Sequence, residues 1–294
     1  MPARSVRAPA RNGLVSSSGQ GGPRRRPLDP SAIRAIVWKD LTAIRRSKAV
    51  VLPMLLVPTL VLVVLPFGIA LSARMRGGAD IGGFLDSLPR AMRDPILREP
   101  PNQRLLVLVD GYLLAPLFLI VPLMVASVLA ADAFAGEKER RTLEGLLHLP
   151  IAERDLFYAK VLTAFVPAVL VSWIGFCCFV LVSDVVAWPV MHRLFLPTTL
   201  WAVVIFWVAP AVAALGMAIM VRVSARARTT QEANQLGGAV VLPLIFLAVG
   251  QSTGLLLVTL PIAIAIGGGV WVLALLLLRG GARRFERNRL ATRL

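Results

Sequence analysis

Between Phe134 and Lys160 the chain reads FAGEKERRTLEGLLHLPIAERDLFYAK, its longest charged segment lying between apolar runs long enough to cross a bilayer. Glu137, Lys138, Glu139, Arg140, Arg141, Thr142 and Glu144 lead into an apolar set, Leu143, Leu146, Leu147 and Leu149. The i, i+3, i+4 spacing of Leu143, Leu146 and Leu147 predicts a short helix with one apolar stripe. Pro150 favours an extended Leu149 and so ends that helix. Glu153, Arg154 and Asp155 then open a second helix that runs into the membrane. A short amphipathic helix held between two membrane helices can be pushed on by a soluble partner. The chemistry this segment offers is mechanical docking.

Catalytic constellations do not appear elsewhere. The chain has four lysines, Lys39, Lys48, Lys138 and Lys160, and none follows glycine or precedes Ser or Thr, so no phosphate-binding Walker loop can form. His148 and His192 are the only histidines and fall on opposite sides of the membrane in the topology below, without an H-E-x-x-H pattern. Asp110 and Asp132 sit at the two ends of one apolar run and Asp184 at the outer end of the next. Asp110 is therefore expected to be hydrated at the interface, with contact to a substrate at the outer mouth as the alternative. Ion-coupled carriers place acids near mid-membrane, so the energy source is expected outside the membrane-embedded part.

The elements that must position the loop are membrane spans. Of 294 residues, 57% are hydrophobic and only 16% charged, and the mean hydropathy is +0.74. Soluble domains carry about a quarter charged residues, so an all-α integral membrane protein is expected. A net charge of +16 would point to nucleic acid in a soluble protein, but here the charges lie between apolar spans and no nucleic-acid partner is expected. Cys177 and Cys178 are adjacent within an apolar run and imply packing, not a disulfide framework.

Residues 1–28, rich in Arg, Pro, Gly and Ser, read as a disordered basic cytosolic tail. Asp29-Pro30 starts a helix over 29–48 whose Ile33, Ile36, Val37, Leu41 and Ile44 share one face, predicting an interfacial helix on the inner leaflet. Trp38 suits the headgroup level. Six spans follow across 49–278, at about 49–71, 112–131, 161–183, 199–221, 237–250 and 258–278. Residues 72–104 are polar and external, with Phe84, Leu85, Leu88 and Met92 able to form a short helix on the outer surface. The 42 apolar residues 237–278 would make one helix about 63 Å long, twice a bilayer, so they must pass at least twice, turning near Gly250–Gly254. Residues 279–294 form a basic cytosolic tail. With both termini inside, 25 of the 32 Lys and Arg lie on the cytosolic side, as the positive-inside rule requires.

Glu137-Lys-Glu-Arg-Arg-Thr-Leu-Glu144, then Leu147, Pro150-Ile151, Arg154 and Lys160, resembles the cytoplasmic loop of ABC-2 type transporter permeases. That family pattern is roughly E-x-E-x-G-T-x-E-x-L-L, then P-[IV], then Gly-Lys. Here Arg141 stands where glycine is common, and Ala159 precedes Lys160 in place of glycine. The resemblance implies a permease subunit of an exporter in the plasma (inner) membrane, paired with a second permease subunit as a homo- or heterodimer. It also implies a separate ATP-binding cassette ATPase, so that ATP and Mg belong to that partner and this chain binds no cofactor and is no enzyme. In the family's terms 29–48 is an "elbow" and the short helix around Leu143–Leu149 a coupling helix. Glu137, Glu139, Thr142, Leu143, Glu144, Leu146, Leu147 and Pro150 are the residues expected to meet the ATPase. The other classes open to this sequence are a membrane scaffold or sensor that anchors a cytosolic partner through the same loop, and an autonomous secondary carrier.

Overall fold

The computed structural model describes residues 29–76, 81–136, 139, 153–227, 229–252 and 259–291. The tail 1–28 and the loop residues 140–152 lie outside the described residues. All regular structure among the described residues is helical.

Helix α1 (Pro30–Arg46) starts as the sequence dictates: the Asp29 carboxylate accepts from the Ser31 and Ala32 amides at 3.0 and 3.3 Å, with Pro30 in the first turn. The Ser31 hydroxyl, foremost, and these amides hold the Asp29 carboxyl below its usual range. The stripe read from the sequence is used against protein. Ile36 packs on Leu156 and Ala159, with Ile33 and Val37 beside them, and Ile44 joins the main core. Trp38 is exposed.

The first apolar run forms α2 (Lys48–Thr59), a π-helical turn Leu60–Val64, and α3 (Leu65–Arg76). Two further π-helical turns interrupt apolar helices, at Val109–Leu113 and Val204–Val208. Each of the three lies just before a proline: Pro66, Pro116 and Pro210. A proline ring clashes with the carbonyl four residues back, and in each case that residue (Leu62, Tyr112, Phe206) sits inside the widened turn. The π turns are how these helices absorb their prolines.

The segment read as external folds into α4 (Gly82–Asp86) and α5 (Arg90–Leu97), and Leu85, Leu88, Met92 and Ile96 pack against Leu108. Next come α6 (Arg104–Leu108), α7 (Leu114–Phe118) and α8 (Ile120–Ala131), which with their π turns form one span, Arg104–Gly136. Helix α9 (Glu153–Met191) has 39 residues and is about 58 Å long, so it outruns any bilayer. Its start at Glu153 is the one read from the sequence, while the span read at 161–183 is only its apolar centre and the helix runs on to Met191. After it come α10 (Thr199–Val203) and α11 (Ala209–Arg226), α12 (Thr230–Gly238), α13 (Leu242–Ser252) and α14 (Leu260–Ala291).

Among the described residues five helices are long and apolar enough to cross a membrane: Met54–Met75, Arg104–Gly136, Asp155–Met191, Thr199–Arg226 and Leu260–Gly281. The stretch read as a crossing at 237–250 differs. It begins at the end of α12, passes a 3-10 turn at Ala239–Val241, and ends in α13, whose 11 residues reach only about 16 Å, half a hydrocarbon core.

Burial sorts the five. The apolar windows of Arg104–Gly136 and Thr199–Arg226 are 67% and 72% buried, against 22%, 22% and 17% for the others, so these two form the centre and the rest surround them. The packing reason is a run of small residues on α11, Ala211, Ala213, Ala214, Gly216 and Ala218, all buried, which lets α8 approach closely. Beside that contact Phe118, Phe176, Phe179 and Trp201 interlock from three helices, with ring centroids 4.9 to 6.2 Å apart. Cys177 and Cys178, expected to pack, are both exposed on α9. Lipid-facing and core-facing positions are equally apolar, so composition cannot distinguish them.

Candidate functional site

A fourth π turn, Asp132–Gly136, has no proline after it and ends the second span where the charged loop begins. Its backbone is gripped from α9. Lys160 is 1% exposed, donates from Nζ to the Ala133 carbonyl at 2.8 Å, and lies 5.8 Å above the Phe134 ring. A lysine is rarely buried without partners. Here the bond ties the last turn before the loop to the first turns after it, and Phe134 against Phe157, 6.2 Å between centroids, adds apolar contact.

A second tie leaves the loop itself. Glu139 Oε2 accepts from the Thr230 amide at 2.9 Å and from the Thr230 hydroxyl at 3.0 Å. Thr230 opens α12, whose N-cap Thr229 accepts from the Glu232 amide at 3.1 Å. A carboxylate at a helix N-terminus satisfies free amides and meets the positive end of the helix dipole. Gly136 fits into the same corner: a Cβ there would lie 2.9 Å from Asp132 Oδ1 and 3.3 Å from Thr230 Oγ1. Helix α1 is anchored nearby, because the Asp155 carboxylate at the start of α9 accepts from the Asp29 amide at 3.4 Å.

Of the residues expected to meet a partner, Glu139 is thus placed, bound within the chain to Thr230. Glu137, Thr142, Leu143, Glu144, Leu146, Leu147 and Pro150 lie outside the described residues. Sequence reading missed Thr229 and Thr230. The Thr229-x-x-Glu232 spacing is a capping-box signal for a helix start, yet nothing local says that Glu139, 91 residues earlier, lies against it.

Asp110 corrects an expectation. It is not hydrated at the interface but fully buried, at 0% exposure, because Leu105–Val109 extends the span beyond it. Neither carboxylate oxygen makes a hydrogen bond among the described residues, although the Ser183 hydroxyl and Asp184 lie close. Its backbone carbonyl accepts from Trp201 Nε1 at 2.9 Å. Asp184 accepts from the Phe195 and Leu196 amides at 3.2 and 3.3 Å, which caps the turn between α9 and α10. Among the described residues no group of three His, Cys, Asp or Glu could hold a metal ion.

The family model described as ABC-2 family transporter protein matches residues 34–260. Neither the curated proteins nor the solved structures give a match. The matched region takes in four of the five apolar spans entirely and the charged loop between Gly136 and Glu153. Covering well over half of the 294 residues, it places this multi-pass membrane protein among the ABC-2 family transporter proteins, the family to which the chain belongs.

Proposed function

We propose that this chain is the membrane-spanning permease subunit of an ABC exporter in the plasma membrane, driven by ATP hydrolysed on a separate cassette subunit. The observation that carries this reading is the family match over residues 34–260, which includes the loop with its acidic and leucine pattern. Two permease subunits face each other, as a homo- or heterodimer, and each docks one ATPase. Both termini are cytosolic, α1 lies along the inner leaflet, and the stretch 237–250 supplies the remaining passage, for six in all. The loop around Leu143–Leu149 receives the push when the ATPases close, with Leu146 and Leu147 filling the partner's cleft.

The ties around the loop say where such a push goes. Lys160 holds the Ala133 carbonyl, so the ends of the second and third spans move together. Glu139 holds the start of α12, so the next cytosolic segment moves with them. A rigid-body displacement shared by these elements is the kind of motion that alternates access across a membrane.

Topology tests this reading. Single cysteines in a background lacking Cys177 and Cys178, placed near residues 30, 90, 145, 190, 230 and 290, are to be labelled with a membrane-impermeant reagent in intact cells. Residues 90 and 190 should react, and residues 30, 145, 230 and 290 should be protected until the membrane is opened. A reactive residue 145 in intact cells overturns both the topology and the role given to the loop.

A further inference from the structure

One face of the first span has no partner among the described residues and has a charged end. Lys48, Leu52, Leu56, Leu60 and Val64 recur every four residues along α2 and its π turn, on a single ridge. With Arg45 from the end of α1 they line an open groove of about 620 Å³. Leu52, Leu56, Leu60 and Val64 are 67%, 62%, 55% and 51% exposed. The sixteen helical steps from Lys48 to Val64 span about 24 Å, more than the roughly 15 Å of one leaflet's hydrocarbon.

Arg45 and Lys48 are exposed and make no ion pair or hydrogen bond among the described residues. The one acid close in sequence, Asp40, pairs with Lys39 at 3.2 Å. Lys48 opens α2, where the helix dipole opposes a cation, so the fold itself gives that charge no local reward. Two unpaired cations at the mouth of an otherwise apolar groove complement one chemistry: a phosphate joined to an acyl chain. From this geometry we infer that the groove is a binding site for one anionic phospholipid, its phosphate on Arg45 and Lys48 and an acyl chain along Leu52, Leu56, Leu60 and Val64. A second copy of this chain fits less well. Around an axis along the membrane normal the same depths meet, which would set Arg45 and Lys48 against their own counterparts, and like charges across an interface are strongly disfavoured. The inference needs only that the chain is embedded in a membrane, not that it transports.

The full-length protein, purified in mild detergent, is to be incubated with equimolar phosphatidylglycerol and phosphatidylcholine, and retained lipid measured by native mass spectrometry. Wild type is expected to retain phosphatidylglycerol preferentially. The double variant Arg45→Gln/Lys48→Gln should retain roughly tenfold less, as two cations near an anionic headgroup predict. Arg90→Gln/Arg98→Gln, exposed cations far from the groove in sequence and on a different helix, should retain as much as wild type. Leu60→Trp keeps both cations and fills the groove. It should also lose the lipid, and it decides the matter if the charge variant fails to insert. Equal retention of the two lipids, or undiminished phosphatidylglycerol in Leu60→Trp, overturns the inference. So does a disulfide between copies through Leu56→Cys in a Cys177→Ala/Cys178→Ala background, which would seat a second protomer on the groove.

Discussion

Glu144→Arg and Leu147→Asp are each expected to leave the amount of protein in the membrane unchanged while abolishing both ATPase retention and transport. Both residues lie in the loop, away from the apolar spans, so insertion does not depend on them. Glu144 follows Leu143 directly in the sequence, and on the proposed docking reversing its charge would set like charges across the interface. Such a juxtaposition costs several kcal/mol; taking about 3, binding falls about 100-fold. On the proposed docking, Leu147→Asp places a charge where an apolar side chain would enter the partner, and an unpaired charge in an apolar cleft is at least as unfavourable. Glu139→Gln separates docking from internal structure. Its carboxylate already holds Thr230, and the amide keeps an acceptor there while losing the charge. The expected result is normal ATPase retention with a loss of about 0.3–1 kcal/mol in stability, the usual worth of a charge at a helix end. Normal co-purification and transport in both Glu144→Arg and Leu147→Asp would reduce the loop to a solvated connector.

The largest effect on folding is expected at Gly216. A Cβ at this position would stand 2.5 Å from Leu123 Cδ1, 3.0 Å from Ser127 Oγ and 3.1 Å from the Leu123 carbonyl oxygen. The leucine side chain can turn away, but the carbonyl belongs to the backbone of α8, so even the Cβ of alanine is tight and anything larger must push the two central helices apart. Overpacking of this kind costs about 1–3 kcal/mol, and more when backbone must move. Close approach through small residues is what holds membrane helices together. Gly216→Leu should therefore lower the melting temperature sharply in detergent or prevent accumulation altogether, with Gly216→Ala between it and wild type. Gly269→Leu, on α14 with nothing within 4 Å of its Cβ, is the control and should behave as wild type. Equal thermal stability of Gly216→Leu and wild type would mean that α8 and α11 do not meet there.

The elements were legible where physics is local. Apolar runs gave the positions of the five helices long enough to cross, and the Asp29-Pro30 pair gave the start of α1. Their ends were less legible, because polar residues such as Ser183 and Asp184 also form helix once an apolar centre holds it, and hydropathy sees only that centre. Asp110 illustrates this: read as the end of a run, it is interior because Leu105 to Val109 continues the helix outward. Of the site, the charged and leucine pattern of the loop was visible from residue types alone. The bonds from Lys160 to Ala133 and from Glu139 to Thr230 were not, because they join positions 27 and 91 residues apart that only packing brings together. The same holds for the two cysteines and the ridge of Leu52, Leu56 and Leu60, whose apolar character says nothing of whether protein or lipid lies opposite.

Affinity purification of the tagged chain from its native membrane in mild detergent, with identification of every protein retained and assay of ATP hydrolysis, tests the division of labour most directly. The account predicts that a cassette ATPase comes with the chain in near-stoichiometric amount, that hydrolysis follows it, and that the chain stripped of it neither binds nor hydrolyses ATP. Retention of some other cytosolic protein with no ATPase, or robust hydrolysis by this polypeptide alone, would contradict it.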